Sequence, residues 1–170
     1  MIITAGKFKG RKLKAPDENI TRPTLSKVRM SVFNTLQAMI DFKGASFLDM
    51  YAGSGIMALE ALSRGFEEAV VIEKNIKAAN IIKSNFKSFE NPPKLIIGDS
   101  LKVASTLNIF DVIYIDPPYF SGVYEKSIDA VKNISKIIIL EHVTNVDFKG
   151  FEIIKQKKYG DKFITFLQKK

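Results

Sequence analysis

An aspartate followed by two prolines and a tyrosine ends one apolar run, and these residue types could together bind and activate an amino group. The segment is Asp116-Pro117-Pro118-Tyr119. Proline fixes φ at about −65° and donates no hydrogen bond, so the turn would present the Asp116 carboxylate and the Pro117 carbonyl as two acceptors. An amino group bonded to both would turn its lone pair toward a methyl donor, and the carboxylate would stabilise the positive charge developing on nitrogen. Tyr119 would stack on the base. The predicted catalytic residues are Asp116, Pro117, Pro118 and Tyr119.

A glycine-rich turn at residues 49–55, Asp-Met-Tyr-Ala-Gly-Ser-Gly, lies between a predicted strand and a predicted helix. Such a turn lets a ligand approach the backbone N–H groups at the start of a helix. Gly53, Gly55 and Ala58, with Glu73 20 residues after Gly53, also fit a relaxed dinucleotide fingerprint, so an NAD-type ligand is an alternative. Asp49 argues against that alternative, because its carboxylate would repel a pyrophosphate but attract the ammonium group of a methionine moiety.

Acidic residues end the first four predicted strands, at the edge where open parallel sheets bind ligands. Glu73 suits two ribose hydroxyls, Asp99 suits the amino group of adenine, and Asp49 suits the amino-acid end of a cationic cofactor. S-adenosylmethionine presents all these groups and a sulfonium; for each acid alone, capping of the next helix is the alternative. The cofactor-binding residues predicted from this pocket are Asp49, Tyr51, Ala52, Gly53, Ser54, Gly55, Glu73, Lys74, Asp99, Ser100 and Asp116.

The elements that position these residues follow the pattern of an α/β fold. Near-continuous β-branched runs alternate with amphipathic segments, which indicates a parallel sheet covered by helices on both faces. Alternating apolar and polar residues near the end of the chain predict an antiparallel hairpin that closes the sheet. Strands are predicted over 46–50, 69–73, 94–99, 111–116, 136–140, 151–155 and 163–167, and helices over 24–40, 56–64, 75–89, a short segment ending near 107, and 124–133.

Positive charge is concentrated at the two ends of the chain. Residues 1–30 hold 8 basic and 2 acidic side chains, residues 155–170 hold 6 and 1, and residues 31–154 hold 12 and 15. This asymmetry favours an anionic partner, with nucleic acid as the first candidate. Solvated lysines that only keep the protein soluble are the alternative.

Composition excludes several classes of protein. A chain of 170 residues suits one globular domain with at most a short appendage. With 0 Cys and 1 His, disulfides, thiolate chemistry, histidine triads and the usual zinc or iron sites are not expected, and we assign no role to His142 and predict no metal. We see no secretory leader or membrane span, so a cytoplasmic location is predicted.

The motifs together resemble a known group, the amino-methyltransferases that carry Asp-Pro-Pro-Tyr on a class I S-adenosylmethionine-dependent fold. Within it, the chain is most similar to the bacterial 16S ribosomal RNA guanine-N2 methyltransferases. The resemblance extends from residue 1 to about residue 141, and the tail beyond it has little family character. The matching segments are 6–13, 22–24, 28–29, 33–34, Leu36, 49–55, 59–65, Glu73 and 116–119.

The resemblance implies a Rossmann-like, mostly parallel sheet, with an arm or hairpin over 1–20 that binds RNA and a methyltransferase domain over 21–170. It implies that Arg22 and Thr24 lie beside the cofactor, S-adenosylmethionine. The implied reaction is methyl transfer to the exocyclic N2 of a guanine in 16S rRNA, by a monomer acting on a small-subunit assembly intermediate. The RNA-binding residues predicted with it are Lys7, Lys9, Arg11, Lys12, Lys14 and Arg29.

Two alternatives remain open at this point. Asp-Pro-Pro-Tyr alone would also suit enzymes that methylate adenine N6, cytosine N4 or glutamine N5, and the guanine assignment depends on the arm and on residues 22–24. A protein of another class, a ribosome-assembly factor that binds RNA and uses the cofactor pocket only for stability, would carry the same basic ends.

Overall fold

The computed structural model describes residues 1–17, 24–118 and 122–170. Strands and helices alternate over most of this chain, as the apolar runs predict. The helices are α1 (Ser26–Gln37), α2 (Ile56–Arg64), α3 (Ile76–Phe86), α4 (Ser100–Ala104) and α5 (Val123–Val131). The strands are β1 (Ser46–Asp49), β2 (Glu68–Glu73), β3 (Lys94–Ile97), β4 (Phe110–Ile115), β5 (Ser135–His142), β6 (Phe151–Tyr159) and β7 (Lys162–Lys169).

The seven strands form one sheet in the order β3-β2-β1-β4-β5-β7-β6. The first five strands of that order pair in parallel, whereas β7 is antiparallel to β5 and β6 is antiparallel to β7. The predicted fold class, a mostly parallel α/β sheet with a C-terminal antiparallel hairpin, is confirmed. The chain moves outward from β1 to β3 and then returns to β4, so the crevice at the carboxyl ends of β1 and β4 is a topological switch point, where such folds bind ligands.

Apolar side chains fill both faces of the sheet. Successive residues of a strand point to opposite faces, so Phe47 joins one core cluster and Leu48 joins the other. The first cluster contains an aromatic group in which Phe33 and Phe66 pack against Phe47, and Phe42 stacks on Phe66. Burial on both faces explains why the strands are continuous apolar runs rather than alternating ones.

The N-terminal arm, residues 1–17, packs on α2 instead of standing apart. It has one isolated bridge, Ile2 to Lys12, rather than two regular strands. Ile3 is buried in the same core as the sheet. Gly6 has φ +80° and lies so close to α2 that a Cβ there would come within 1.8 Å of the Ser63 carbonyl oxygen. The arm therefore shares the core of the larger domain and depends on it for its shape.

The C-terminal hairpin places one strand inside the sheet and one at its edge. Residues 164–167 of β7 are buried beside β5, whereas most of β6 is exposed. The register of β6 shifts between Ile153 and Lys155, an irregularity of the kind that discourages pairing with another chain. No helix in residues 1–17, 24–118 and 122–170 is both long and apolar enough to cross a membrane.

Candidate active site

The predicted acids meet at the switch point between β1 and β4. Asp49 is the last residue of β1 and pairs in register with Val71 of β2 and Tyr114 of β4. Asp116 directly follows β4, and Glu73 ends β2. The sheet thus brings together at one edge three carboxyls that are up to 67 residues apart in the sequence.

The glycine loop after β1 is held in place by Glu73. One carboxylate oxygen of Glu73 accepts a hydrogen bond from Gly53 N at 2.8 Å, and the other accepts from Asn75 N at 2.7 Å. Gly55 has φ +78°, and a Cβ there would lie 2.8 Å from the ring of Phe86. Glycine is required at position 55 both for its left-handed backbone and for this close approach to α3.

Asp49 is a buried carboxyl with little to balance its charge. It is 1% exposed, and Oδ1 accepts a hydrogen bond from Tyr51 N at 3.3 Å. Burial, together with the smaller effect of the negative charge of Glu73, raises the pKa of Asp49 from 3.8 to about 7 against the lowering effect of the Tyr51 hydrogen bond. A cationic ligand would relieve this arrangement and a phosphate would worsen it, so the pocket fits S-adenosylmethionine better than a dinucleotide.

Asp99 caps α4, the alternative role that the sequence allowed for each acid. Its Oδ1 accepts from Leu101 N at 3.1 Å and from Lys102 N at 3.4 Å. Lys74 Nζ lies 3.4 Å from Oδ2. Desolvation acts to raise the pKa of Asp99, but the hydrogen bonds from Lys102 and Lys74 outweigh it, so the pKa is lowered. The residue is still partly exposed at the sheet edge, where adenine recognition is predicted.

Some of the remaining predicted cofactor residues form the glycine loop itself, and others hold this loop in place. The Tyr51 hydroxyl lies 2.7 Å from Ser127 Oγ on α5, which fixes the loop over that helix. Ser100 is buried, and its hydroxyl donates to the Met50 carbonyl, so its side chain supports the loop from behind. Ala52 and Ser54 are buried within the loop itself. Thr24 is half-buried, and Arg22 lies outside the described residues.

Asp116 and the two prolines continue from β4 into the crevice. Asp116 is half-buried, Pro117 is buried and Pro118 is exposed, while Tyr119 lies outside the described residues. Burial raises the pKa of Asp116 well above its usual value; Glu141 and Asp49 raise it further, and Lys162 opposes them. The site therefore contains two carboxyls, at the ends of β1 and β4, whose negative charge the protein fold itself makes unfavourable.

Two groups around the site were missed by the sequence analysis. Glu141, near the end of β5, accepts a hydrogen bond from the Tyr114 hydroxyl at 2.8 Å and pairs with Lys162 of β7. Its position near the end of the fifth strand was the available clue. Asn85 of α3 accepts from Lys14 N at 2.9 Å and donates to Lys14 O at 3.0 Å and to Ser54 O at 3.1 Å, so it joins the arm to the glycine loop.

Five of the predicted RNA-binding side chains lie on the surface of the arm. Arg11 also has a structural role, because its guanidinium lies over the rings of Phe8 and Phe89, at 5.2 and 4.6 Å from their centroids, and donates to the Ser88 carbonyl at 3.1 Å. The exposed basic residues of the arm are Lys7, Lys9, Arg11, Lys12 and Lys14.

Arg29 is not an RNA-binding residue, and this prediction is corrected. Arg29 is 1% exposed, and its Nε lies 3.3 Å from Glu60 Oε1 while Nη2 donates to the Ile2 carbonyl at 2.8 Å. Glu60 is fully buried and also accepts hydrogen bonds from Thr4 and Arg64. Arg29 therefore fastens the arm and α1 to α2 and cannot reach a phosphate.

Solved structures with this fold include methyltransferases. One, described as "Putative methyltransferase yhhF from Escherichia coli", superposes with a TM-score of 0.86 at 25% identity, over 100% of this chain and 98% of that one. Another, described as "SMU.776, a putative methyltransferase complexed with SAH", shares the fold with a TM-score of 0.67 at 14% identity, over 84% of this chain and 48% of that one. The protein therefore has the fold of the class I methyltransferases.

The chain belongs to the family described as "Conserved hypothetical protein 95", which matches residues 1–168. "Putative rRNA methyltransferase YlbH" of Bacillus subtilis is 38% identical over 125 residues, 70% of this chain and 67% of that protein. "Ribosomal RNA small subunit methyltransferase D" of Escherichia coli K12 is 31% identical over 133 residues, 77% of this chain and 66% of that protein. The alignments thus span about two thirds of these relatives, and the family resemblance inferred from the motifs is confirmed. Its predicted end near residue 141 was wrong, because the family match continues to residue 168.

Proposed function

We propose that the protein methylates ribosomal RNA of the small subunit, and that its target is the exocyclic N2 of a guanine in 16S rRNA. The observation that carries the proposal is Asp116-Pro117 placed directly after β4, at the switch point and beside the buried carboxyl of Asp49. Membership of a family with rRNA methyltransferases among its relatives supports RNA as the substrate.

In this proposal the cofactor supplies an electrophilic methyl group, and the residues of the chain position the nucleophile. The Asp116 carboxylate and the Pro117 carbonyl accept the two N–H bonds of the guanine amino group, which turns its lone pair toward the methyl carbon. A new N–C bond forms as the C–S bond breaks, with the electron pair remaining on sulfur as S-adenosylhomocysteine. The extra proton on nitrogen passes to solvent, so no separate general base is needed.

Two further requirements follow for the RNA. The guanine must be unpaired or turned out of its stack to reach Asp116, where Tyr119 would stack against it. The exposed lysines of the arm, on the α2 and α3 side of the glycine loop, would bind phosphates of the same RNA. We further propose that the enzyme acts as a monomer in the cytoplasm on a small-subunit assembly intermediate.

The test is methyl transfer to small-subunit RNA from cells that lack the gene, followed by mass spectrometry of the nucleosides. Wild type should produce N2-methylguanosine. Asp116→Ala should lower the rate by about 100-fold or more while S-adenosylmethionine still binds in calorimetry, because one acceptor of the developing positive charge is lost. Asp129→Ala, which removes an exposed acid of α5, is the matched control and should retain activity.

Each other outcome contradicts a part of the proposal. N6-methyladenosine or N4-methylcytidine as the product would replace guanine by another base. A fully active Asp116→Ala enzyme would remove the proposed mechanism. A deletion strain whose 16S rRNA keeps the methyl group, together with an inactive purified protein, would favour the non-catalytic assembly factor.

A further inference from the structure

A lysine of the C-terminal hairpin reaches the interior behind the predicted catalytic aspartate. Lys162 is the first residue of β7, and its side chain is 22% exposed. Its ammonium group pairs with Oε1 of Glu141, whose side chain is 1% exposed. The other oxygen of Glu141 accepts the Tyr114 hydroxyl at 2.8 Å. Glu141 is thus a buried carboxylate held between a cation and a hydroxyl donor.

The sheet register places Glu141 beside Asp116. In the parallel pair β4 and β5, Ile115 is the partner of Leu140, so the next pair along is Asp116 and Glu141. Paired strands lie about 4.8 Å apart, and partners in register point to the same face. Two carboxyls this close disfavour each other's ionisation unless a cation is also present.

The charged and titratable groups that act on Asp116 come from four strands. Glu141 on β5 and Asp49 on β1 are negative, and Lys162 on β7 is positive. Tyr114 on β4 itself is buried between Glu141 and Asp49, and burial raises the pKa of its hydroxyl well above the usual value, so it acts as a neutral donor. Lys162 is the group that lowers the pKa of Asp116 within this set.

We propose that Lys162 is a positioning residue that acts through Glu141 to keep Asp116 in its ionised, hydrogen-bond-accepting form. This inference depends on the proposed role of Asp116 in binding the target amino group. It gives one basic residue of the C-terminal segment a specific role, whereas the sequence predicted only that this segment contacts an anionic partner. The hairpin then does more than close the sheet, because Lys162, at the start of β7, places a positive charge next to Glu141 and Asp116.

Two variants with opposite expected effects test the proposal. Lys162→Met removes the cation that lowers the pKa of Asp116, so this pKa should rise. Glu141→Gln removes the neighbouring anion but leaves Lys162, so the pKa of Asp116 should fall. Lys162→Arg keeps the charge and should restore the wild-type value. Lys169→Met, which removes a lysine of β7 that bonds to Asn133, is the matched control.

The measurement is the carbon-13 titration of aspartate and glutamate carboxyls in the full chain saturated with S-adenosylmethionine. The pH profile of kcat/KM for RNA methylation is the parallel readout. We expect the acidic limb of Lys162→Met to move to higher pH, with about tenfold less activity at pH 6, and that of Glu141→Gln to move to lower pH. Simple destabilisation would not shift the two variants in opposite directions.

The results separate this inference from the proposed function. If the wild type methylates guanine and both titration and pH profile are unchanged in Lys162→Met, the inference is overturned. If the carboxyl titrations shift in opposite directions but no guanine is methylated, the charge relationship stands and the proposed function fails. If Lys162→Met does not fold, Glu141→Gln and Lys162→Arg still decide, because an unshifted Asp116 titration in Glu141→Gln overturns the inference.

Discussion

The N-terminal arm, residues 1–17, and the C-terminal hairpin, β6 and β7, are both basic but place their lysines in different surroundings. The basic side chains of the arm that we predicted to bind RNA are all exposed. In the hairpin, Lys157 donates to Ser31 and Thr35 of α1, and Lys162 pairs with the buried Glu141. The exposed lysines of the arm remain available to a polyanion, whereas two lysines of the hairpin, Lys157 and Lys162, already bind side chains of this protein.

The two segments are also attached to the rest of the protein by different kinds of hydrogen bond. The hairpin is held by ladder hydrogen bonds along β5 and β7. The arm has a single bridge of its own and is held by side chains of the larger domain, chiefly Glu60, Ser63 and Asn85. Two segments that are both basic can therefore differ in structure. The backbone groups of the hairpin bond to a neighbouring strand, whereas those of the arm bond to side chains of the helices.

The largest effect expected from this comparison concerns Glu60. Glu60→Ala leaves the buried guanidinium of Arg29 without its carboxylate and removes the acceptor for Thr4 N, so we expect a loss of about 3–5 kcal/mol in the free energy of unfolding. Denaturant unfolding measures it, with the exposed Glu67→Ala as control, and amide exchange of residues 3–13 should rise. A Glu60→Ala protein within about 0.5 kcal/mol of wild type would contradict this account of how the arm is held.

A second effect concerns Asp49 of β1, which lies on the opposite side of β4 from Lys162 of β7 in the strand order of the sheet. Because burial raises the pKa of Asp49 from its ordinary value of 3.8 to about 7, ionisation of this carboxyl destabilises the cofactor-free protein as pH rises from about 4 to 7. Asp49→Asn should therefore be more stable than wild type at pH 8, by up to about 4 kcal/mol, and equal to it near pH 4. Unfolding in denaturant at the two pH values tests this.

Cofactor binding should show the opposite dependence on pH at the same residue. The ammonium group of S-adenosylmethionine favours the ionised Asp49, so affinity should rise between about pH 6 and 8 with release of a proton. Calorimetry in two buffers of different ionisation enthalpy measures this release. Asp49→Asn should bind more weakly at pH 8 and lose the dependence, and a variant that kept it would assign the proton to another group.

The smallest effect compares exposed lysines of the two segments directly. Replacing Lys9, Lys12 and Lys14 by Ala should reduce the slope of log affinity for RNA against log salt by about 2, since each phosphate contact contributes about 0.7–0.9. The matched triple variant, at Lys155 and Lys158 of β6 and at Lys170 just after β7, should reduce the slope by less than the contribution of one phosphate contact. Equal decreases in slope would show that both segments bind the RNA. An unchanged slope in the arm variant would show that its lysines contribute only to solubility.

Much of the fold could be predicted because its determinants are local. Apolar runs such as 46–50 and 111–116 are buried on both faces and differ from the observed strands by one residue, and helix 56–64 has the predicted bounds. The boundaries of α1 and α3 are less accurate, because the helices end at Gln37 and Phe86 although the apolar residues beyond them, Met39, Ile40 and Phe89, still pack on the core.

The sequence by itself determined the α/β class, the glycine loop and the acids at the strand ends, because residue types at short spacing specify turns and strand termini. Only the tertiary structure decided the surroundings of the charged groups. Arg29 and Lys162 look like surface cations in the sequence, yet each lies against a buried carboxylate, at a distance of 31 residues for Arg29 and 21 for Lys162. Burial and pairing depend on contacts between distant segments, and these contacts set whether a basic residue meets RNA or supports the pocket.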